Sequence, residues 1–291
     1  MQLQGILFSI GRQQPLRERE IIMFALKPEE TKQVKGLTLR RDPLREECFQ
    51  IVNSDAEMYQ WPDMSDISKR ERLHRHMNNE TGAIEIAAQC LVDFPEAPWD
   101  LRMQLARQCW DESRHVASLY RRLRQIGGRK GEFPISNFEW TVTCALDSLA
   151  ARLALQNRTF EAGELDLLGQ LPTRWREAGD EETAGLLESI LSDEITHVRF
   201  ANQWLKRMVQ EDRRILLKIA MAVRFLSAVT AAVAPKEGEL SPTGVPFVQP
   251  KDRIAQVNVE DRRHAEFSNA EIDEFLRQSG FQSIMTSVAE G

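Results

Sequence analysis

The sequence predicts an all-α protein: an antiparallel four-helix bundle with an irregular N-terminal arm and extra C-terminal helices. Three observations support this prediction. From Ser65 onward, apolar residues recur every three or four positions, which is the period of one face of an α-helix. Short breaks rich in proline and glycine divide this stretch into long segments. Two of the segments contain the same local sequence, DExxH, which indicates an internal repeat.

The breaks set the expected helix boundaries. FPEAP at 94–98, GGRKGEFP at 127–134 and GQLP at 169–172 each end a helical pattern, because proline cannot continue a helix and glycine weakens it. The helices expected from this division span 66–93, 99–126, 137–168, 180–209 and 212–234. A short last helix is expected after Ser268, where the sequence SNAE has the capping-box pattern.

The chain is expected to have three parts. Residues 1–62 contain short apolar runs such as GILFSI between prolines, and they predict an irregular arm or a small strand pair. Residues 63–234 contain the predicted bundle. Residues 235–291 begin with a Pro/Gly-rich loop at 235–250 and continue into the short helix, and we expect both to pack on the bundle.

Composition excludes several classes of protein. The chain has 291 residues and 42% hydrophobic content, enough for one large compact domain or two small ones. Its 38 basic and 44 acidic residues give a net charge of −6, so no basic field favours nucleic acid or an anionic membrane as a partner. The four cysteines match neither a metal knuckle nor a disulfide framework, and the N-terminus lacks the pattern of a secretory signal. We therefore expect a cytoplasmic protein.

The apolar stretch at 215–234 has the length of a membrane span. Lys218 and Arg224 lie inside it, and each would cost roughly 2.5 kcal/mol or more at the centre of a bilayer. The stretch is therefore interpreted as a buried or half-buried helix of the bundle.

Two of the five histidines lie in the repeated sequence DExxH. One copy is predicted on the second helix and the other on the fourth. The residues of the two copies are Asp111, Glu112 and His115, and Asp193, Glu194 and His197. Residues three apart on a helix lie about 5–6 Å apart at Cβ, so the Glu and His of each copy can face one metal ion. Each Asp can accept a hydrogen bond from the imidazole of the opposite copy. The alternative is that both helices are exposed and each Glu merely flanks its His.

Spacing identifies a further glutamate on each of the other two helices. Glu80 precedes the first DExxH glutamate by 32 residues, and Glu161 precedes the second by 33, so the second half repeats the first at an offset of 81 or 82. Glu85 and Glu164 fit this symmetry less well, because their spacings to the same glutamates are 27 and 30. Glu80 and Glu161 are therefore preferred, although a single glutamate on a helix is usually a solvated surface residue.

Together these residues predict a site for two metal ions. One glutamate from each of two helices, with Glu-x-x-His from each of the other two, is the ligand pattern of di-iron carboxylate proteins. Carboxylates and imidazoles suit iron or manganese, and carboxylates can bridge ions about 3.5–4 Å apart. We expect two iron ions, or one manganese and one iron, with O2 as co-substrate. The residues expected to bind metal and act in catalysis are Glu80, Glu112, His115, Glu161, Glu194 and His197.

Residues 66–210 resemble the ferritin-like superfamily. NETGAIE at 79–85 is similar to the first ligand helix of the ubiquinone-pathway di-iron hydroxylases. Together with FEAGELD at 160–166 and DEITHV at 193–198, it resembles a bacterial ferritin-like family labelled as a domain of unknown function. The resemblance implies a ferritin-like fold and the six ligands given above. The chain departs from that family at Ser136, where a histidine is usual, and in having EAGELD where EARGLD is usual.

The other histidines have weaker patterns. His76 lies one turn before Glu80, which makes it a candidate extra ligand or proton donor, or else a polar partner near the end of the bundle. His74 lies on another face of the same helix and is expected to be exposed. His264 belongs to the basic cluster DRRHAEF and is given no role.

The predicted function is oxygen activation by a non-haem di-iron enzyme. It would use O2 or peroxide to oxidise a small organic substrate by hydroxylation, N-oxygenation or desaturation, with electrons from a reductase or ferredoxin. A homodimer fits this class. Three alternatives stay open: a ferroxidase or iron-storage protein, a hydroxylase of a modified tRNA base that uses the basic run at 120–131, and a metal-free helical interaction module.

Overall fold

The computed structural model describes residues 26–59, 61, 63–234, 256–279 and 282–283. These residues are mostly helical, which confirms the all-α class. The predictions for the GILFSI run and for the Pro/Gly-rich loop at 235–250 lie outside the described residues.

The first two long helices, α1 (Asp66–Asp93) and α2 (Trp99–Gln125), form a hairpin. Their ends fall within one residue of the predicted boundaries. The connection at 94–98 contains two prolines, which prevent one helix from running into the next. The two helices pack against each other, so residues predicted on α1 and α2 can meet.

The prediction of one continuous helix over 137–168 is wrong. This stretch contains four pieces: α3 (Phe138–Thr143), α4 (Leu149–Leu155), a π-helical turn (Gln156–Glu161) and α5 (Ala162–Leu168). Apolar periodicity continues through all of them, because each piece faces the same core. A periodic pattern therefore could not reveal where the backbone leaves the α-helical ladder.

A buried arginine explains the first interruption, at residues 144–148. The guanidinium of Arg152 donates hydrogen bonds to the backbone carbonyls of Leu146 at 2.9 Å and of Cys144 at 3.4 Å. It also forms an ion pair with Asp93 of α1 at 2.7 Å. Backbone groups that lose their helical partners must be satisfied elsewhere, and here a side chain satisfies them.

The remaining helices complete the helical architecture. They are α6 (Leu171–Glu177), α7 (Glu181–Glu211), α8 (Ile215–Val233), α9 (Val259–His264) and α10 (Asn269–Ser279). The predicted capping box precedes α10: Ser268 N donates to Glu271 Oε2 at 2.8 Å, and Glu271 N donates to Ser268 Oγ at 3.3 Å.

Short strands cover parts of the helical core. β1 (Thr31–Val34) and β2 (Leu37–Arg40) form an antiparallel hairpin, which matches the strand pair considered for the N-terminal arm. The parallel pairs are β3 (Ile51–Val52) with β4 (Ile135–Ser136), and β5 (Gln256–Val257) with β6 (Gln282–Ser283).

The core consists of apolar clusters. A polar layer lies between two of them, and α1, α2 and α7 contribute side chains to both. The first apolar cluster includes Leu73, Met77, Leu119, Leu168, Leu187 and Ile190. The second apolar cluster includes Ile86, Leu105, Leu153, Phe200 and Ala201. On α1, α2 and α7, the stretches that supply these two clusters are separated by a buried polar stretch with Glu80, Glu112, His115, Glu194 and His197.

Helix α8 is the one helix in the described part of the chain that is long and apolar enough to cross a membrane. Of its apolar window, 22% is buried. One face, with Ile219, Ala222, Phe225 and Val229, packs into the core beside α4. The helix therefore belongs to the helical assembly, and a cytoplasmic location stays a prediction.

Candidate metal centre

The six predicted ligands converge in the polar layer. They form two groups that share Glu112 and Glu194. The first group is Glu80, Glu112, His115 and Glu194, and the second is Glu112, Glu161, Glu194 and His197. Within each group, one donor atom per residue lies within 4.8 Å of the others, and no member is more than 3% exposed.

Both imidazoles turn Nδ1 toward the carboxylates. His115 Nδ1 lies 2.9 Å from Glu112 Oε2 and 3.4 Å from Glu80 Oε2. His197 Nδ1 lies 3.3 Å from Glu112 Oε1 and 3.4 Å from Glu194 Oε2. In both residues the i, i+3 spacing of Glu and His on one helix face produces the contact. The two Nδ1 atoms are therefore the nitrogen atoms that could bind a metal ion together with the carboxylates.

Each Nε2 atom faces the aspartate of the opposite DExxH copy. His115 Nε2 lies 3.1 Å from Asp193 Oδ2, and His197 Nε2 lies 3.5 Å from Asp111 Oδ2. Arg114 donates to both aspartates, at 2.5 Å to Asp111 and 2.9 Å to Asp193. Burial raises the pKa of Asp111, but His197 and the neighbouring arginines outweigh burial and lower that pKa below its ordinary range. Both aspartates are thus placed to hold the rings in one orientation.

Amide side chains surround Glu161. Asn157 Nδ2 donates to Glu161 Oε2 at 2.8 Å, and Gln108 Nε2 donates to Glu161 Oε1. Gln156 Nε2 approaches the same Oε1 atom at 3.4 Å. The π-helical turn supplies Gln156, Asn157 and Glu161, so the irregular backbone positions this carboxylate. Sequence analysis missed these amides, although Asn157 lies four residues before Glu161 and Gln108 four before Glu112.

Glu80 has different neighbours. His76 Nε2 lies 2.7 Å from Glu80 Oε1, and Glu164 joins these two residues in a third group whose donor atoms lie within 4.8 Å of one another. Glu164 was disfavoured by spacing, but the structure brings it beside the centre. Glu85 lies elsewhere, in a two-point ion pair with Arg45 at 2.6 and 2.8 Å.

Like charges dominate the electrostatics of the centre. Burial, with Glu194 and Glu80, raises the pKa of Glu112 to about 8. Burial and Glu194 also raise the pKa of Glu161 well above its ordinary value. Burial lowers the pKa of His115, but Glu112 and Glu80 outweigh burial and raise that pKa to about 11. A bound cation would stabilise the ionised carboxylates and displace the protons from the imidazoles. The raised pKa values are therefore those expected of a site without its cation.

Several buried polar atoms of the centre have no hydrogen-bond partner among the described residues. Two carboxylate oxygens among them belong to the candidate ligands, Glu80 Oε1 and Glu194 Oε1. Buried polar atoms are almost always paired, and a site for a bound ion is one standard reason for an exception. Buried oxygen and nitrogen donors in this arrangement can hold a metal ion, and they suit iron or manganese.

The expectation that His74 is exposed is wrong. Its side chain is 0% exposed, because the segment after α2 covers this face of α1. His74 Nε2 accepts a hydrogen bond from Gly131 N at 3.0 Å, and burial lowers the pKa of His74 to about 4. His264, at the end of α9, is 56% exposed and lies outside the candidate centre.

These features define a helical protein with a buried carboxylate–histidine centre. Comparison with known families identifies the particular one: the chain belongs to the family described as "Protein of unknown function (DUF455)", whose model matches residues 16–273. Comparisons with curated proteins and with solved structures found no match.

Proposed function

We propose that this protein is a ferritin-like, non-haem di-iron enzyme that activates O2 or peroxide and oxidises a small organic substrate. One observation carries the proposal: two ligand groups, each with its own histidine and its own glutamate, share Glu112 and Glu194. Two shared carboxylates between two metal positions are the arrangement that di-iron carboxylate centres use.

The directions of the helices support a ferritin-like bundle. α1 and α7 pass from the first apolar cluster to the second, whereas α2 passes from the second to the first. The segment from α4 to α5 runs like α2, from Leu153 in the second cluster to Leu168 in the first. Residues 126–148 therefore cross from one end to the other, and a single long crossover is typical of ferritin-like folds.

The proposal gives each residue of the centre a role. Glu80 and His115 would hold the first ion, Glu161 and His197 the second, and Glu112 and Glu194 both ions. Asp193 and Asp111 would keep the imidazole N–H groups directed away from the metal. When bound, two iron ions supply the oxygen chemistry, while the protein supplies ligands, burial and substrate positioning.

The proposal also requires partners. Hydroxylation of a substrate by O2 consumes two electrons beyond those that the substrate provides, so a reductase or ferredoxin is included as electron donor. The organic substrate, Fe/Fe or Mn/Fe composition, and a homodimer are parts of the same proposal. The fold family does not fix the substrate, because one fold can host many reactions.

Anaerobic titration of metal-free protein with Fe(II) tests the proposal. We expect at least two tightly bound equivalents, followed by new near-ultraviolet absorbance when O2 is added. Glu112→Gln and Glu194→Gln should each weaken both positions, because each removes a shared charge. Glu188→Gln is the matched control, since Glu188 is exposed on the same helix as Glu194.

Two results would contradict the proposal. Fewer than one bound equivalent of iron without oxygen-dependent absorbance would remove the metal centre altogether. A cage-sized particle on gel filtration, with iron accumulating as mineral, would favour iron storage over substrate oxidation.

A further inference from the structure

A third cluster of ligand atoms adjoins the proposed pair of metal positions. His76, Glu80 and Glu164 each place one donor atom within 4.8 Å of the other two. His76 and Glu80 lie on α1, and Glu164 lies on α5. The cluster combines one imidazole with two carboxylates, which is a donor set for a divalent cation rather than a purely acidic patch.

In the other half of the repeat, the position equivalent to His76 carries an amide that already bonds the glutamate. Applying the repeat offset of 81 to His76 gives position 157, which is Asn157. Asn157 donates to Glu161 Oε2 at 2.8 Å, and Gln108 donates to Oε1, so both oxygens of Glu161 have donors. In one half of the repeat, protein amides therefore complete the environment of the glutamate.

By comparison, one oxygen of Glu80 lacks a hydrogen-bond donor of this kind. Glu80 is 2% exposed, yet its Oε1 has no hydrogen-bond partner among the described residues. His76 Nε2 lies 2.7 Å from this oxygen and is its ion-pair contact. A buried carboxylate oxygen with no further donor among the described residues can be completed by a cation that also binds the imidazole.

Glu164 adds a second carboxylate to this corner. It lies on α5, and its donor atom lies within 4.8 Å of those of His76 and Glu80. A carboxylate that is partly removed from water needs a partner or a metal to carry its charge. The open oxygen of Glu80 and the second carboxylate of Glu164 thus point to the same ligand, a cation.

We propose that His76, Glu80 and Glu164 form a third divalent-cation site that shares the Glu80 carboxylate with the dinuclear centre. The inference rests on the proposed function only for that shared ligand. The His76 side chain is 13% exposed, whereas no ligand of the dinuclear centre exceeds 3%. The third site therefore lies between solvent and the buried pair, where an incoming cation would bind first.

Titration of metal-free protein with Mn(II), with free Mn(II) followed by electron paramagnetic resonance, tests the third site. The unmodified chain should bind three equivalents. His76→Asn, which places at this corner the amide found in the other half, should bind two, and so should the near-isosteric Glu164→Gln. His264→Asn and Glu85→Gln are matched controls outside the three groups and should retain three.

The outcomes separate this inference from the proposed function. Two equivalents in the unmodified chain, unchanged in both variants, would overturn the third site and leave the dinuclear centre intact. Three equivalents in all variants would place the third ion elsewhere and overturn this assignment. Fewer than two in the unmodified chain would contradict the proposed function itself. If His76→Asn fails to fold, Glu164→Gln gives the same decision.

Discussion

At the scale of single residues, the orientation of two imidazole rings decides which atoms can bind metal. Asp193 and Asp111 each face an Nε2 atom from the neighbouring helix, so Nδ1 of His115 and of His197 is left to face the shared glutamates. An imidazole whose Nε2 already faces a carboxylate loses little conformational freedom when a metal binds at Nδ1. This raises the affinity for the metal without adding a ligand.

Removing one of these supports should weaken metal binding while all ligands remain. Asp193→Asn is expected to lower affinity for one ion about 10–100-fold, because His115 loses its charged partner. Competition with a chromophoric chelator measures the change. Asp100→Asn, at an exposed position on α2, is the control. Equal affinity in Asp193→Asn and the unmodified protein would contradict a supporting role for Asp193.

A single glycine fixes the segment that buries His74. Gly131 has φ +70°, and a Cβ atom there would lie 2.3 Å from the carbonyl oxygen of Cys48. Gly131→Ala should therefore destabilise the fold by more than about 2 kcal/mol, since a positive φ alone costs roughly 1–2 kcal/mol for other residues. Gly127→Ala has a similar φ of +82° but open space, and should cost only the backbone term. Urea unfolding compares them, and equal losses would contradict the steric argument.

The convergence of the six candidate ligands could be predicted from sequence because their signal is local. Glu-x-x-His places two ligands on one helix face, and the repeat offset selects Glu80 and Glu161. The amides and Glu164 could not be selected in this way. Their positions depend on the π-helical turn and on the distance between α1 and α5, neither of which appears in a helical period.

At the scale of elements, the C-terminal helices hold the segment that carries Glu161. Arg262 of α9 forms a two-point ion pair with Asp166 at 2.6 and 3.0 Å and donates to the backbone carbonyl of Ala162 at 3.0 Å. Arg158, in the π-helical turn, pairs with Glu271 of α10 at 2.5 Å. These buried pairs attach α9 to α5 and α10 to the π-helical turn.

Breaking the pair between α9 and α5 should cost more than any surface ion pair. Arg262→Met leaves Asp166 buried without its partner, so the free energy of unfolding should fall by about 3–5 kcal/mol. Arg277→Met removes an exposed pair with Glu274 on α10. It should change the free energy of unfolding by less than about 0.5 kcal/mol. Guanidinium unfolding of both variants provides the measurement, and similar losses would show that the buried pair has no special weight.

At the scale of the whole molecule, the negative charge is unevenly distributed. The formal net charge of −6 suggests mild surface acidity, yet several carboxyl groups are buried around the centre. Burial, followed by Asp55, raises the pKa of Glu139 from 4.5 to about 8. A carboxyl group whose pKa is higher in the folded state favours folding below its ordinary pKa, and loses that contribution as the pH rises through the folded value.

The pH dependence of stability should therefore change when Glu139 is neutral. At pH 4, Glu139→Gln should have nearly the melting temperature of the unmodified protein, because both side chains are then largely uncharged in the folded and unfolded states. At pH 9 the variant should melt higher, because the native glutamate must ionise while buried. Calorimetry of metal-free protein at both values checks this, with the exposed Glu96→Gln as control. A variant that melts lower at pH 9 would contradict the raised pKa.

The short strands and the connections between helices were harder to predict from the sequence than the long helices. The sequence predicted α1 and α2 to within one residue, because prolines bound both helices. The parallel pairing of β3 with β4 joins residues more than eighty positions apart, and strands of two residues have no periodicity to detect.

The attachment of α9 and α10 to the segment around Glu161 also sets an order of events during protein synthesis. A chain leaves the ribosome N-terminus first, at about 5–20 residues per second. Every proposed ligand up to His197 emerges well before Arg262 and Glu271, which fix the π-helical turn. A nascent chain therefore carries all its ligands while Glu161 is still unsecured. We expect metal to load fully only after the C-terminal helices have docked, because only then is Glu161 held in place.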